Sequence, residues 1–180
     1  MHNSTIVKHR RRREGKTNYR VRYGLLKSGQ DRLVIRKSSK NIIVQIIRYE
    51  EKGDKILVSV NSKQLVKFGW KAGLGNVPAS YLTGFLLGNK AKGKVDGVVL
   101  DIGNQVSVKG ARLYAALKGV IDAGIDVPHS KEILPSQDRI EGKHIADWAG
   151  NAGGNNFKKY GIDPKDIQKN FAEVKQKING

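Results

Sequence analysis

Three apolar blocks rich in β-branched residues follow one another early in the chain: Leu33-Val34-Ile35, Ile42-Ile43-Val44-Gln45-Ile46-Ile47 and Ile56-Leu57-Val58-Ser59-Val60. The short polar connections Ser38-Ser39-Lys40-Asn41 and Glu50-Glu51-Lys52-Gly53-Asp54 predict that these blocks form an antiparallel three-stranded meander. Asn61 or Ser62 is placed to cap a short helix over Lys63 to Trp70, which Gly73-Leu74-Gly75-Asn76 interrupts. Pro78 then sits in the first turn of a second helix. Its apolar face is Ala79, Leu82, Phe85 and Leu86, and Gly88-Asn89 and Gly93 are expected to end it.

The run from Gly97 to Gly103 is nearly all apolar over a strand's length, as expected for a strand covered on both faces. Leu113, Leu117, Val120 and Ile121 then recur at helical spacing, with Gly124 as a stop. This order predicts an α/β fold in which a mixed sheet, made of the meander plus a crossover strand, is packed by helices. Three regions follow: a basic N-terminal arm over 1–31, an α/β core over 32–125 and a helical C-terminal extension over 126–180. The extension reads as a loop around Pro128 and Pro135, a helix from about Gln137 to Trp148, a glycine and asparagine linker at 150–156, and a last helix. Asp163 is the expected N-cap of that helix and Pro164 its N1 residue, with Ile167, Phe171, Val174 and Ile178 on one stripe.

Charge changes the picture. The 180 residues hold 34 Lys or Arg against 16 acids, a formal net charge of +18. Residues 1–40 carry 13 of the basic residues and 2 of the acids. Such an excess repels itself unless a polyanion neutralises it, so the N-terminal quarter points to nucleic acid. Arg10, Arg11, Arg12 and Arg13 form a run, flanked by Lys8, His9, Lys16, Arg20, Arg22 and Lys27. Clustered arginines make bidentate contacts with phosphates and release condensed counterions. Thr17 lies among them, and Tyr19 and Tyr23 are candidates to stack on unpaired bases, which favours RNA. A helix around 16–27 is compatible with the pattern, but charge at this density favours an extended or mobile arm until a partner arrives. Arg32, Arg36, Lys37 and Lys40 carry the positive charge into the first hairpin, where Arg32 and Arg36 share a strand face. A solvated basic tail and an ordinary lysine-protected strand edge are the plainer readings of the same residues.

Other chemistry is poorly supported. With no cysteine, disulfides, thiolate metal sites and cysteine nucleophiles are excluded, and a reducing compartment fits. The apolar stretches fall far short of the roughly 20 residues of a membrane span, so no membrane association is expected. No phosphate-loop motif accompanies Gly73-Leu74-Gly75, and turn geometry accounts for those glycines. His2, His9, His129 and His144 lack metal-ligand spacing, and His129 and His144 read as loop or surface residues. Asp96 and Asp101 flank the apolar strand where a nuclease could place metal-binding carboxylates, but a third carboxylate is missing and capping is the simpler role. Neither a metal nor a cofactor is expected.

Several motifs carry a family resemblance over nearly the whole chain. Residues Arg11 to Tyr19 leading to Arg22 and Leu25-Leu26-Lys27-Ser28, Arg32-Leu33-Val34, Phe68-Gly69-Trp70, Gly75 to Gly84, Leu100-Asp101-Ile102-Gly103, Asp122 to His129 and Arg139 to Ile145 stand in order. Together they resemble the archaeal and eukaryotic branch of the ribosomal protein family that binds 5S RNA, called "L eighteen" in its archaeal naming. Where that family usually has proline before the first strand, this chain has Asp31, for which a local effect is expected.

The resemblance implies a cytoplasmic, non-enzymatic constituent of the large ribosomal subunit. Its arm and adjoining sheet surface would grip 5S rRNA and help attach it to the central protuberance. Residues after about 126 would lie against large-subunit rRNA or neighbouring ribosomal proteins. A non-specific nucleic-acid-binding protein or RNA chaperone is the alternative that composition alone leaves open.

Overall fold

The structure, a computed structural model, describes residues 7–95, 97–151 and 162–180. The meander forms as expected: β1 (Asp31–Lys37), β2 (Ile42–Arg48) and β3 (Lys55–Asn61) pair antiparallel, with a register shift between Ile46 and Ile47. After a 3₁₀ helix over Ser62–Phe68 and helix α3 (Val77–Ala91), the chain crosses back to lay β4 (Val98–Asp101) parallel to β1. The sheet order is therefore β3-β2-β1-β4. Helix α4 (Arg112–Asp122) follows, and both α3 and α4 pack on the sheet.

Strand alternation divides the sheet into two unlike faces. One carries Leu33, Ile35, Ile42, Val44, Ile46, Val58, Val60 and Val98, all buried in the core beneath the helices. The other carries Arg32, Val34 and Arg36 from β1, Ile43, Gln45 and Ile47 from β2, and Asp101 from β4. Among the described residues this second face has no core helix over it, and at Arg36 and Asp101 it meets the N-terminal arm.

Helix α3 is enclosed more completely than its expected stripe implied, with every residue from Val77 to Gly88 buried between the sheet, α4 and the C-terminal helix. Asn76, not singled out from the sequence, is its N-cap and accepts from the Ala79 amide. Gly88-Asn89 does not end it, but Gly93, at φ +72° just past Ala91, does as expected. Helices α3 and α4 approach so closely that a Cβ on Gly84 would collide with the Ala116 backbone, one on Gly119 with Tyr81, and one on Gly88 with Ala123. Gly124, at φ +100°, stops α4 as expected.

The single helix expected over 137–148 is two, α5 (Gln137–Glu141) and α6 (Lys143–Asn151), because Gly142 adopts φ +88° between them. Of the linker read over 150–156, the first two positions complete α6 and the rest lie outside the described residues. Asp163 caps as expected, but it caps a 3₁₀ turn over Pro164–Asp166 that leads into α7 (Ile167–Asn179). The stripe Ile167, Phe171, Val174, Ile178 is buried and joins the same core as α3. It is thus consumed within the molecule, and the extension shares its core with the α/β layers.

Candidate nucleic-acid interface

The described part of the arm, from Val7 onwards, contains two helices. Helix α1 is the arginine run itself (Arg10–Arg13), and α2 spans Tyr19–Leu26. The helix compatible with 16–27 is present as α2, and two local devices shape the arm. Asn18 caps α2 by accepting from the amides of Arg20 (3.1 Å) and Val21 (3.3 Å). Arg11 Nε donates to Thr17 Oγ1 at 2.8 Å and closes the turn between the helices. Neither helix contains a buried residue. Their form therefore depends on capping and on what they touch.

Among the described residues, Asn104 and Asp54 join the arm to the body. Asn104, in the loop after β4, donates to the Gly15 carbonyl at 2.5 Å. Arg22, in α2, makes a bidentate pair with Asp54 in the turn before β3, Nη1–Oδ2 3.0 Å and Nη2–Oδ1 2.8 Å. A cleft forms where the arm crosses the sheet, lined by Arg11, Lys16 and Arg22 on one side and by Arg36, Asp101 and Asn104 on the other.

Beneath it runs an alternating chain of charges. Arg32 Nη2 donates to Asp54 Oδ2 at 2.7 Å and Arg32 Nη1 to Asp101 Oδ2 at 2.8 Å. Arg36 Nη2 donates to Asp101 Oδ1 at 2.9 Å, and its Nη1 to the Asp101 carbonyl at 2.7 Å. Five groups, Arg22, Asp54, Arg32, Asp101 and Arg36, thus lie in one line. Burial acts to raise the carboxyls of both aspartates, but the flanking guanidiniums outweigh it and hold both below the ordinary carboxylate value. The Arg22 guanidinium is pushed further up, chiefly by its bond to Asp54.

The expected site residues therefore fall into distinct settings. Lys8, His9, Arg10 to Arg13, Lys16, Arg20, Tyr23, Lys27 and Lys40 are exposed, and Tyr19 is at 37%. His9 and Tyr19 lie with ring centroids 5.4 Å apart, and Lys27 Nζ stands 4.9 Å from the Tyr23 ring. Thr17, Arg22, Arg36 and Lys37 are half-buried. Arg32 is the exception. It shares the face of Arg36 as expected, yet its side chain is 3% exposed and both of its outer nitrogens are committed to aspartates. It presents no donor to a phosphate and has a structural place instead. Its Nε is buried with no partner among the described residues.

Asp54 was not singled out as a functional residue, since a turn aspartate 32 positions from Arg22 carries no local signal. Asn18 was also missed, although an asparagine immediately before a helical segment is a capping signal. Gln105 was missed too: its side-chain amide continues the β1 edge beyond β4, accepting from the Lys37 amide and donating to the Ile35 carbonyl. Asp31, where the resembling family has proline, pairs bidentately with Arg48 at 2.9 and 2.8 Å.

The other candidates singled out from the sequence have varied settings. The Gly75 carbonyl accepts from Arg112 at 2.6 Å and the Gly73 carbonyl from the Trp70 indole, which supports the turn reading of that loop. His129 Nδ1 lies 2.7 Å from the Val127 carbonyl. His144 is half-buried in α6, and burial together with nearby Arg139 lowers its pKa. Asp101 is held by two arginines and Asp96 lies outside the described residues. Among the described residues no cluster of three or more potential metal ligands occurs.

Sequence comparisons show the family. A profile of the family described as ribosomal large subunit proteins 60S L5 and 50S L18 matches residues 4–97 and 91–130, which span the arm, the sheet and the cleft. Large ribosomal subunit protein uL18 of Methanococcus maripaludis is 48% identical, over 96% of this chain and 94% of that protein. The uL18 protein of Korarchaeum cryptofilum is 49% identical, over 96% and 93%. The chain belongs to the L5/L18 family. It is therefore a structural, non-enzymatic protein of the large ribosomal subunit.

Proposed function

We propose that this ribosomal protein binds 5S rRNA through its arm and the adjoining end of the sheet, and so helps attach that RNA to the central protuberance. The observation that carries the reading is the exposed arginine helix Arg10–Arg13, set beside a second helix that displays Arg20, Tyr23 and Lys27.

Lys8, His9, Arg10 to Arg13, Lys16, Arg20 and Lys27 are the phosphate-contacting groups, with Thr17 and Lys40 at the margins. Arg22 and Arg36 line the cleft and offer their remaining donors to the backbone. Guanidiniums suit this task because their planar forks meet phosphates in bidentate geometry. Tyr19 and Tyr23 provide faces for unpaired bases. Large-subunit rRNA and neighbouring ribosomal proteins are the expected partners of the outer surfaces of α5 to α7.

The test is binding to purified 5S rRNA against an unrelated RNA of equal length, across a salt titration. A preference for 5S rRNA that persists at elevated salt supports the assignment. Equal binding to both, collapsing together as salt rises, would leave a non-specific polyanion binder.

A further inference from the structure

The arm helix α2 should not be stable on its own. It has eight residues, contains Gly24 in its interior and buries no side chain, whereas isolated helices shorter than roughly 12–15 residues are marginal in water. Its register on the body is fixed by a carboxylate. Asp54 meets both terminal nitrogens of Arg22, and Arg32, itself paired with Asp101, holds Asp54 from below. A guanidinium has five N–H donors, and the Asp54 pair engages one on each terminal nitrogen. The Nε–H and the second hydrogens on Nη1 and Nη2 remain for a phosphate.

We propose that Asp54 is a positioning residue for RNA binding: an acid at the edge of a basic interface that strengthens the grip on RNA by holding α2 folded and Arg22 aimed. This inference rests on the reading that the arm binds RNA. Its consequence runs against simple charge counting. Removing an acid from a protein of net charge +18 should tighten its hold on a polyanion. Removing this one weakens it, because the RNA must then order α2 as it binds, and apparent affinity falls in proportion to the fraction of molecules already in the competent form.

Asp54→Asn is compared with Glu51→Gln, an exposed acid in the same turn whose loss changes the charge equally. In the free, full-length protein, amide hydrogen exchange reports α2 without reference to RNA. D54N is expected to lose protection at Arg22 and Lys27, whose amides bond to the Asn18 and Tyr23 carbonyls, while β1 to β3 keep theirs. E51Q is expected to keep both. On 5S rRNA at one salt concentration, the dissociation constant of D54N rises roughly three- to tenfold above that of E51Q.

Should D54N perturb the sheet through Arg32, Arg22→Gln severs the same tether from the arm side, and its exchange pattern is read in its place. Unchanged α2 protection in D54N, or in R22Q where the sheet is perturbed, overturns the proposal. Lost protection with binding equal to E51Q also overturns it, and leaves the RNA-binding reading intact. A wild-type protein without preference for 5S rRNA would instead remove the reading on which the proposal stands, while the exchange result would still report the tether.

Discussion

Arg32 on β1 and Asp101 on the parallel strand β4 meet at 2.8 Å, their side chains only 3% and 8% exposed. Removing one partner of a buried pair strands the other charge, which typically destabilises by about 3–5 kcal/mol. Because Asp54 still holds Arg32 Nη2, Asp101→Ala should lower stability towards the lower end of that range, about 3 kcal/mol, in urea unfolding. Arg36→Gln, at the open end of the same chain with its side chain 42% exposed, should lower it by no more than about 1 kcal/mol. A D101A protein as stable as wild type would show that the pair contributes little to the fold.

Acid should loosen the same region. Asp54 and Asp101, faced by Arg22, Arg32 and Arg36, titrate below the ordinary carboxyl value in the folded protein. The unfolded chain therefore takes up protons first as pH falls. Their contribution to stability is complete above about pH 5 and fades as the pH drops below about 4, through the depressed native values. Urea midpoints measured from pH 6 downwards should fall for wild type, and the gap between wild type and D54N should narrow towards the acid end. A constant gap would contradict this.

The glycines should divide by their surroundings. Gly84 and Gly119 sit where a Cβ would strike the opposing helix backbone, so Gly84→Ala and Gly119→Ala should destabilise by about 1–3 kcal/mol or more. Gly24 has open space around its Cβ position, and Gly24→Ala should favour α2 by about 0.5–1 kcal/mol. Thermal unfolding checks the first pair and α2 hydrogen exchange the second. G24A should also bind 5S rRNA more tightly, since it raises the competent fraction without adding charge.

The fold was legible wherever one residue type at one spacing dictated one element. The β-branched blocks gave the three strands their places, and helical spacing marked α4. What escaped depended on contacts distant in sequence. That α3 is buried on every side follows from α4 and α7 closing over it, and that Arg32 points inward follows from Asp54 and Asp101 arriving from other turns and strands. The arm was read correctly as a basic surface. A helix around 16–27 was compatible with the pattern, but the short helix at Arg10 to Arg13 was not foreseen, because charge density alone does not reveal the Arg11–Thr17 bond that closes the turn after it.

The claim that the arginine helix neutralises RNA phosphates is tested most directly by salt. The logarithm of the 5S rRNA binding constant should fall linearly with the logarithm of salt concentration, with about 0.7–0.9 of slope for each phosphate contact. Replacing Arg10, Arg11, Arg12 and Arg13 with Ala should flatten that slope by roughly 3, on the basis of about one contact per side chain, while the circular dichroism of the α/β core is retained. A folded variant whose slope matches wild type would show that these arginines do not touch the RNA backbone.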